Sequence, residues 1–567
     1  MNLPDKELIA KDNSMFLVIF GIWFLLIMYF DPKIISNIKP EETIWAKVTV
    51  GAFILCVNSF WLMGIYQFVI SIFSRFVAKP LLKCEFITDD LPAVAILYPT
   101  KDDFKEEAAL SCLNQDYPNF AFYILDDSTE QEIKSQIDNF VSKHPSAKLI
   151  RRGEKGGFKA GNLNNALRKI SPQYPYFAVS DADGILPKDF IKLLIPYFSL
   201  DESIGFIQAH QQINPNQGFI FSKYLHYQSD IHYKYFLPSK NKYGFVMFYG
   251  HGGIIRTDLW QKTGGFPDSL TEDFVFSSEA RRLGYRGIYV TDLVCYEDFP
   301  QDYRRYRIRS ERWASGTAEY FLKWYPKLLF SKDVPWFEKI DITLSAGRLL
   351  FGLPFAFFIF ILCVALPLST RYFNLPLPSY MSSASSTPLY ESIPLYFSGS
   401  YSLVRHQYVN WGFGFFVLMV LYGFSDLAIA FVEWRKKPVT MLGYMSQYTM
   451  ISFSTILLLC KTILLSPFSK KRAFHVTGVK GHDLGKEIYK VPVKLDHFTI
   501  VEVLVGAFLL ISIIKTSNVW LAPIGIALMA NPLLYKFRWE TPGVHIIVIL
   551  PFVLFLLIIL LVGLTFL

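Results

Sequence analysis

Apolar and polar positions divide the chain into two textures. Long apolar runs, near the roughly 20 residues a helix needs to cross hydrocarbon, occur at 15–30, 48–73, 342–366, 408–432, 498–514, 519–534 and 544–567. They predict transmembrane helices. The first is expected to stay as a helix rather than be removed as a signal peptide, because acidic residues precede it and no small-residue cleavage site follows. Between 80 and 339 the apolar runs shorten, charges return, and Gly and Pro punctuate the chain. That texture predicts one soluble domain. The expected order is a membrane region at 1–79, a soluble domain at 80–339 and a second membrane region at 340–567.

Inside the soluble stretch, strand-length apolar runs at 92–98, 120–125 and 176–179 alternate with helical patterns at 106–115, 130–143 and 162–170. This alternation predicts an α/β domain with a parallel sheet. Ligands of such sheets bind beyond the carboxyl ends of the strands. Two of the three strands deliver acids to that edge: Asp126-Asp127-Ser128 and Ser180-Asp181-Ala182-Asp183. An Asp-x-Asp by itself is usually a turn whose Asp caps the next helix. The chemistry set against that reading is specific, because Mg²⁺ or Mn²⁺ takes one or two carboxylates together with phosphate oxygens and water. The Gly-rich stretch 153–162, leading into a helix, suits either a flexible loop or close backbone approach to an anion neutralised by Lys159. It lacks the GK[ST] of a Walker loop.

Loop charge sets the orientation. Trp434-Arg435-Lys436-Lys437 and Lys470-Lys471-Arg472 are basic and lie next to apolar ends, whereas 369–407 is rich in Ser, Pro and Tyr and nearly uncharged. Positive flanks mark the cytoplasmic side, which places the soluble domain there too. The segment 441–465 begins and ends beside basic loops, so it is expected to lie in the membrane interface rather than to cross. Tyr303–Trp313 interleaves Arg with Tyr and Trp, as membrane-surface helices do, within an interface helix expected over about 303–325.

Composition narrows the class. Of 567 residues, 52% are hydrophobic and 18% charged, against about a quarter charged in soluble domains. An ordinary cytosolic enzyme and a disordered chain are both disfavoured. The net charge of +8 sits beside apolar segments and points to a lipid bilayer, with no nucleic-acid partner. Six scattered cysteines without a CxxC pair argue against a zinc ribbon or a disulfide scaffold. The 17% aromatic share fits both a sugar-polymer path and interfacial aromatic belts.

Taken in order, several short motifs resemble the membrane-embedded processive glycosyltransferases of family 2, the cellulose, chitin and hyaluronan synthases and their kin. They are Pro99-Thr100-Lys101-Asp102-Asp103; Asn114-Gln115-Asp116-Tyr117-Pro118; Leu125-Asp126-Asp127-Ser128; Lys159-Ala160-Gly161-Asn162; Asp181-Ala182-Asp183; Thr271-Glu272-Asp273; Arg312-Trp313; and Phe474-His475-Val476-Thr477. The resemblance implies a glycosyltransferase A-type, Rossmann-like cytoplasmic domain inserted between the helices of a multi-pass inner-membrane protein. It implies a processive, inverting enzyme that polymerises a hexose from a UDP-sugar, UDP-glucose favoured, into a β-linked polysaccharide and extrudes it. The growing polysaccharide is then the acceptor, and accessory export subunits are possible partners. The alternative is a single transfer to a lipid acceptor. A transporter is disfavoured by the near absence of ionisable residues and of internal repeats in the apolar segments.

The resemblance also implies roles. Asp126 or Asp127, with Thr100 and Lys159, contacts the donor; Asp181 and Asp183 hold Mg²⁺ or Mn²⁺ and the diphosphate. Asp273 of Thr271-Glu272-Asp273 is the general base, and the same acids suit a helix N-terminus. Arg309, Arg312 and Trp313 form the acceptor and diphosphate platform, and His251 lines the acceptor site. Phe474, Val476, Thr477 and Lys480 belong to a gating loop over 470–480. Three departures stand out. Arg309 replaces the family's Gln before Arg-Trp; two residues rather than one separate Thr477 from Lys480; and Gly250-His251-Gly252-Gly253 stands where cellulose synthases carry Phe-Cys-Gly-Ser. The chain ends at Leu567 within an apolar segment, so the cyclic-di-GMP-binding module of many bacterial cellulose synthases is expected to be missing.

Overall fold

The computed structural model describes residues 11–35, 44–77, 91–350, 352–361, 425–468, 497–516, 521–539 and 541–564. The expected gating residues Phe474, Val476, Thr477 and Lys480, the loop 369–407 and most of 408–432 lie outside the described residues.

The soluble stretch folds around a seven-stranded sheet of β1 (Val94–Thr100), β2 (Phe120–Asp126), β3 (Ala147–Arg151), β4 (Tyr176–Val179), β5 (Ile204–Ile213), β6 (Gly253–Arg256) and β7 (Arg286–Glu297). The order across the sheet is β3-β2-β1-β4-β6-β5-β7. Every residue of β1 is buried because both faces of the sheet are covered. Val94, Ile96 and Tyr98 pack with the helices Glu106–Leu113 and Gln131–Lys143 on one face. Ala95 and Leu97 pack with the helix Phe158–Ile170 on the other. Burial on both faces explains why the strand reads as an unbroken apolar run rather than an alternating one.

The sheet departs from the all-parallel expectation in one strand. β6 pairs antiparallel with both β4 and β5, whereas β1, β2, β3 and β4 are parallel neighbours. β6 has only four residues, too few to carry a periodic signal. Its reversal matters for function, because the residues just before it, Gly250-His251-Gly252, arrive at the same edge as the carboxyl ends of the parallel strands.

Among the described residues, two helices are long and apolar enough to cross a membrane, Ser14–Pro32 and Lys47–Phe76. Two bent pairs would raise that to four: Trp336–Gly347 with Gly352–Phe358, at 65°, and Pro438–Ser454 with Ile456–Phe468, at 41°. The expected span 342–366 is therefore broken rather than straight. Within the expected span 519–534, the described residues form an apolar helical stretch Leu521–Lys536, made of the helices Leu521–Met529 and Asn531–Lys536. The segment 441–465 also differs from the single interface helix expected. Its polar residues Ser446, Gln447, Thr449 and Ser454 are buried against protein, not turned to water, and Gln447 Nε2 donates to the Phe221 carbonyl at 2.9 Å. The bend falls at Thr455, whose Oγ1 returns a 2.6 Å bond to the Ile451 carbonyl, a contact that bends helices.

A buried polar knot joins the apolar helices to the sheet domain. The fully buried Asp341 carboxylate accepts from Lys240 Nζ at 2.7 Å, Tyr66 Oη at 2.6 Å and the Phe245 backbone N–H at 2.8 Å. Removing one member of a buried charge pair costs about 3–5 kcal/mol. Asp341→Ala should therefore lower the thermal midpoint of the detergent-solubilised protein by several degrees, while Asp333→Ala, at an exposed position, leaves it unchanged.

Candidate active site

The carboxyl edge of the sheet opens into one cavity of about 890 Å³. Its wall brings together Thr100, Asp127, Lys159, Asp181, Asp183, His251, Thr271, Glu272, Asp273, Arg309, Arg312 and Trp313. These residues come from positions 100 to 313, and the topology gathers them for a simple reason. Strands β1, β2 and β4 end there, β6 begins there, and the helices Glu272–Arg282 and Tyr303–Lys323 start beside it.

Asp126 and Asp127 part company at the end of β2. Asp126 is 2% exposed and is absent from the cavity wall. Its carboxylate is taken by Arg151 Nε at 2.6 Å and the Ser128 N–H at 2.8 Å. Alternation along an extended strand turns neighbouring side chains to opposite sides, so only Asp127 faces the cavity. Arg152 grips Asp127 through Nε at 2.9 Å and Nη2 at 2.5 Å, and Lys155 Nζ holds the Asp127 and Ser128 carbonyls at 2.8 and 2.7 Å. The loop after β1 is tied to this corner by Asp102, at a left-handed φ of 61°. Its carboxylate accepts from the Thr129 and Glu130 N–H groups at 2.6 and 2.8 Å. Thr100 Oγ1 bonds Asp103 at 2.8 Å.

The acids after β4 meet a half-buried cation. Lys159 pairs with Asp181 and donates to the Gly250 carbonyl at 3.0 Å. Burial pushes the Asp181 carboxyl up, but the Lys159 ammonium and then the His251 imidazole outweigh it and hold it below its ordinary value. Asp183 has no such relief. Burial, and next the Asp181 charge, push it up to about 7. Two adjacent acids, one of them penalised by burial, suit a divalent cation. Among the described residues no three His, Cys, Asp or Glu side chains form a metal cluster. A metal held here would therefore draw its other ligands from phosphate and water, as Mg²⁺ does.

Opposite these acids stands Thr271-Glu272-Asp273. Burial and then the neighbouring Asp273 push Glu272 up to about 7, and burial raises Asp273 as well. Asp273 Oδ1 accepts from the Phe274 N–H at 2.8 Å, a helix-start contact, while Oδ2 faces Gly250. A β-carbon on Gly250 would stand 3.3 Å from Asp273 Oδ2 and 3.5 Å from Lys159 Nζ, at a φ of +86°. Thr271 caps nothing with its side chain. Its Oγ1 bonds the Gly316 carbonyl at 3.3 Å, and a β-carbon on Gly316 would fall 2.4 Å from Thr271 Cγ2. The Thr-Glu-Asp turn thus rests directly on the Arg-rich helix.

On that helix Arg309 stacks over Trp313 at 4.6 Å and over Phe299 at 5.7 Å, and its Nε finds no hydrogen-bond partner among the described residues. Trp313 is 42% exposed, within the cavity wall. His251 Nε2 meets Glu297 at 3.1 Å. Burial opposes the charge on His251, but Asp181 and the Glu297 hydrogen bond push it up to about 9. Glu297 and Asp298, also in the wall, were missed in the sequence. The rule that found the other acids, a strand ending in carboxylates, fits them once β7 is recognised. Arg152, Lys155 and Lys105 were missed because lone cations carry no pattern.

Beyond Trp313 the same cavity continues between apolar helices. Met63, Gln67, Ser345, Phe355, Tyr448 and Ser452 line it there.

The α/β domain thus gathers paired acids and half-buried cations at one sheet edge. A family model described as Glycosyl transferase family group 2 matches residues 176–469, just over half of the chain, and the chain belongs to that family. It is similar to the "Probable glucomannan 4-beta-mannosyltransferase 3" of Oryza sativa subsp. japonica, 27% identical over 260 residues, which are 44% of this chain and 47% of that protein. It is also similar to the "Glucomannan 4-beta-mannosyltransferase 9" of Arabidopsis thaliana, 26% identical over 301 residues, 50% of this chain and 56% of that protein. The chain spans about half the length of the curated relatives it matches. Among solved structures it is similar to a mannosyltransferase from Pyrobaculum calidifontis in complex with GDP-Man and Mn²⁺, at a TM-score of 0.44 and 17% identity over 66% of this chain and 98% of that one. S. aureus TarS 1-349 in complex with UDP gives a TM-score of 0.31 at 16% identity, over 56% of this chain and 82% of that one.

Two outcomes follow from the geometry. Gly250→Ala and Gly316→Ala should each displace Asp273 and lower kcat, on the order of a hundredfold for a shift near 1 Å; turnover within twofold of wild type would show that neither close approach positions it. The raised Glu272–Asp273 pair is protonated at acid pH and loses its proton as pH rises. Activity that needs the free carboxylate should therefore rise with pH along a limb displaced above the ordinary carboxylate range, and the limb should move in Glu272→Gln, as read from a pH–kcat profile.

Proposed function

We propose that the chain is a processive, inverting glycosyltransferase that builds a β-linked hexose polymer from a nucleoside diphosphate sugar and passes it into the membrane. The observation that carries this reading is the continuity of the cavity. It runs from Asp181, Asp183 and Asp273 past Trp313 to Phe355 and Tyr448 among the apolar helices, so a product made at the sheet edge has a path with rings and hydroxyls along it.

In this reading Asp127, Arg152 and Thr100 receive the nucleoside, with Asp126 bracing Arg151 behind them. Lys159 and Arg312 face the diphosphate. Asp181 and Asp183 would hold Mg²⁺ or Mn²⁺, which supplies charge stabilisation for the departing nucleoside diphosphate. The terminal sugar of the acceptor packs its apolar face on Trp313. Asp273 takes the proton from its hydroxyl, the oxygen bonds to C1 of the donor sugar, and the C1–phosphate oxygen bond breaks on the opposite face. One in-line displacement turns an α-linked donor into a β-linked product. Proton transfer by a positioned base is worth roughly 10²–10⁴-fold. UDP-glucose is the favoured donor, with GDP-mannose tested beside it because named relatives are mannosyltransferases. The catalytic domain lies on the cytoplasmic side, and the basic stretch 434–437 beside the helix Ser425–Trp434 supports that orientation.

The test is incubation of the purified full chain in detergent or nanodiscs with radiolabelled UDP-glucose or GDP-mannose and Mg²⁺ or Mn²⁺. A polymer cleaved by a β-specific hydrolase is the expected product. Asp273→Asn should abolish it while nucleotide affinity stays within a few-fold. A single-sugar lipid product would replace the processive reading, and full turnover by Asp273→Asn would remove that residue as base.

A further inference from the structure

The helix Tyr303–Lys323 carries Arg305, Arg309, Arg312 and Trp313 into the cavity, whereas its Arg304 and Arg307 lie outside the cavity wall. Arg307 is 2% exposed rather than resting on a membrane surface, as its interleaving with Tyr and Trp suggested. Its Nη2 meets Glu502 Oε1 at 2.9 Å, and its guanidinium lies 5.3 Å from the Tyr535 ring and 5.8 Å from the Tyr303 ring. Glu502 is fully buried and is the one acid in the apolar helix His497–Thr516. Its Oε2 accepts from Asn531 Nδ2 at 2.7 Å. Asn531, also fully buried, accepts from Tyr303 Oη at 2.7 Å through Oδ1 and donates to the Ser454 carbonyl at 3.1 Å. Four helices, Tyr303–Lys323, Pro438–Ser454, His497–Thr516 and Asn531–Lys536, converge on this knot. None of Tyr303, Arg307, Ser454, Glu502 or Asn531 lines the cavity, so the knot touches no substrate.

A buried ion pair adds little stability over well-packed apolar residues of the same size, because desolvation consumes the attraction. It does resist displacement, since any slip leaves a charge unpaired in an apolar setting. Arg307 lies two residues from Arg309 and six from Trp313, roughly 3 and 9 Å along the helix at about 1.5 Å per residue. A shift of Arg307 is therefore a shift of the platform.

We propose that Arg307 and Glu502 are a positioning pair, which locks the register of the helix bearing Trp313 against the membrane helices and so holds the acceptor end in line with Asp273. The proposal rests on the glycosyl-transfer reading above for the role of Trp313. Donor contacts at Asp127, Asp181 and Lys159 lie on the sheet edge, outside the knot, and are independent of it.

The comparison that separates position from stability is Arg307→Met together with Glu502→Leu, which keeps volume and removes both charges. In the full-length enzyme this double variant should melt within a few degrees of wild type and keep its KM for the nucleotide sugar within twofold. Its kcat should fall tenfold or more, and its product should be shorter on a sizing gel. Wild-type kcat and product length would overturn the proposal, as would a donor KM that worsens in step with kcat. Should the double variant not fold, Arg307→Lys is read in the same way: it retains the charge but not the planar fork, so lower kcat and shorter product at unchanged donor KM support the pair, and wild-type product overturns it. Lack of polymer from the wild-type enzyme would instead refute the function reading.

Discussion

Lys159 is the point on which the site depends. Its ammonium is shared between the Asp181 carboxylate after β4 and the Gly250 carbonyl before β6, and it sits in the first turn of the helix that follows the Gly-rich loop. Three separate parts of the chain are thereby drawn to one charge. The acids around it shift in opposite directions: Asp181 is held down by Lys159, whereas Asp183 and Glu272 are pushed up by burial.

The second constraint is mechanical. A sheet domain whose cavity is shared with apolar helices must be held in register with them. Two buried polar knots do this, one around Asp341, Lys240 and Tyr66, and the other around Glu502, Arg307 and Asn531. The first ties the helix Ile44–Phe73 and the helix Trp336–Leu350 to the residues just before Gly250. The second ties the Arg-rich helix to the apolar helices near the C-terminus. Both place ionised groups where burial penalises any misalignment.

Much of the site was readable because its chemistry is local. Acids that follow an apolar strand announce themselves at Asp127, Asp181 and Asp183, and a Thr-Glu-Asp before a helical pattern does the same for Asp273. The motif order tied them to one family before any contact was known. Other parts had no local signature. β6 is four residues long, so the reversal that delivers His251 to the edge left no trace in periodicity. Asp126 and Asp127 are adjacent and chemically alike, and only the twist and alternation of β2 turn one inward to Arg151 and the other to the cavity.

The apolar helices show the same division from the other side. Apolar content located the helices, because exclusion of backbone polar groups from hydrocarbon is a property of each segment alone. It did not reveal that Gln447 and Ser446 face protein, that the helix bends at Thr455, or that Arg307 is buried against Glu502. Composition and order along the chain determined the family, the acids that gather at the sheet edge and the texture of their surroundings. Which of two like residues faces the cavity, and which charges meet, was decided by long-range packing. Pairings such as Arg307 with Glu502 join residues 195 apart in sequence, where no local pattern reaches.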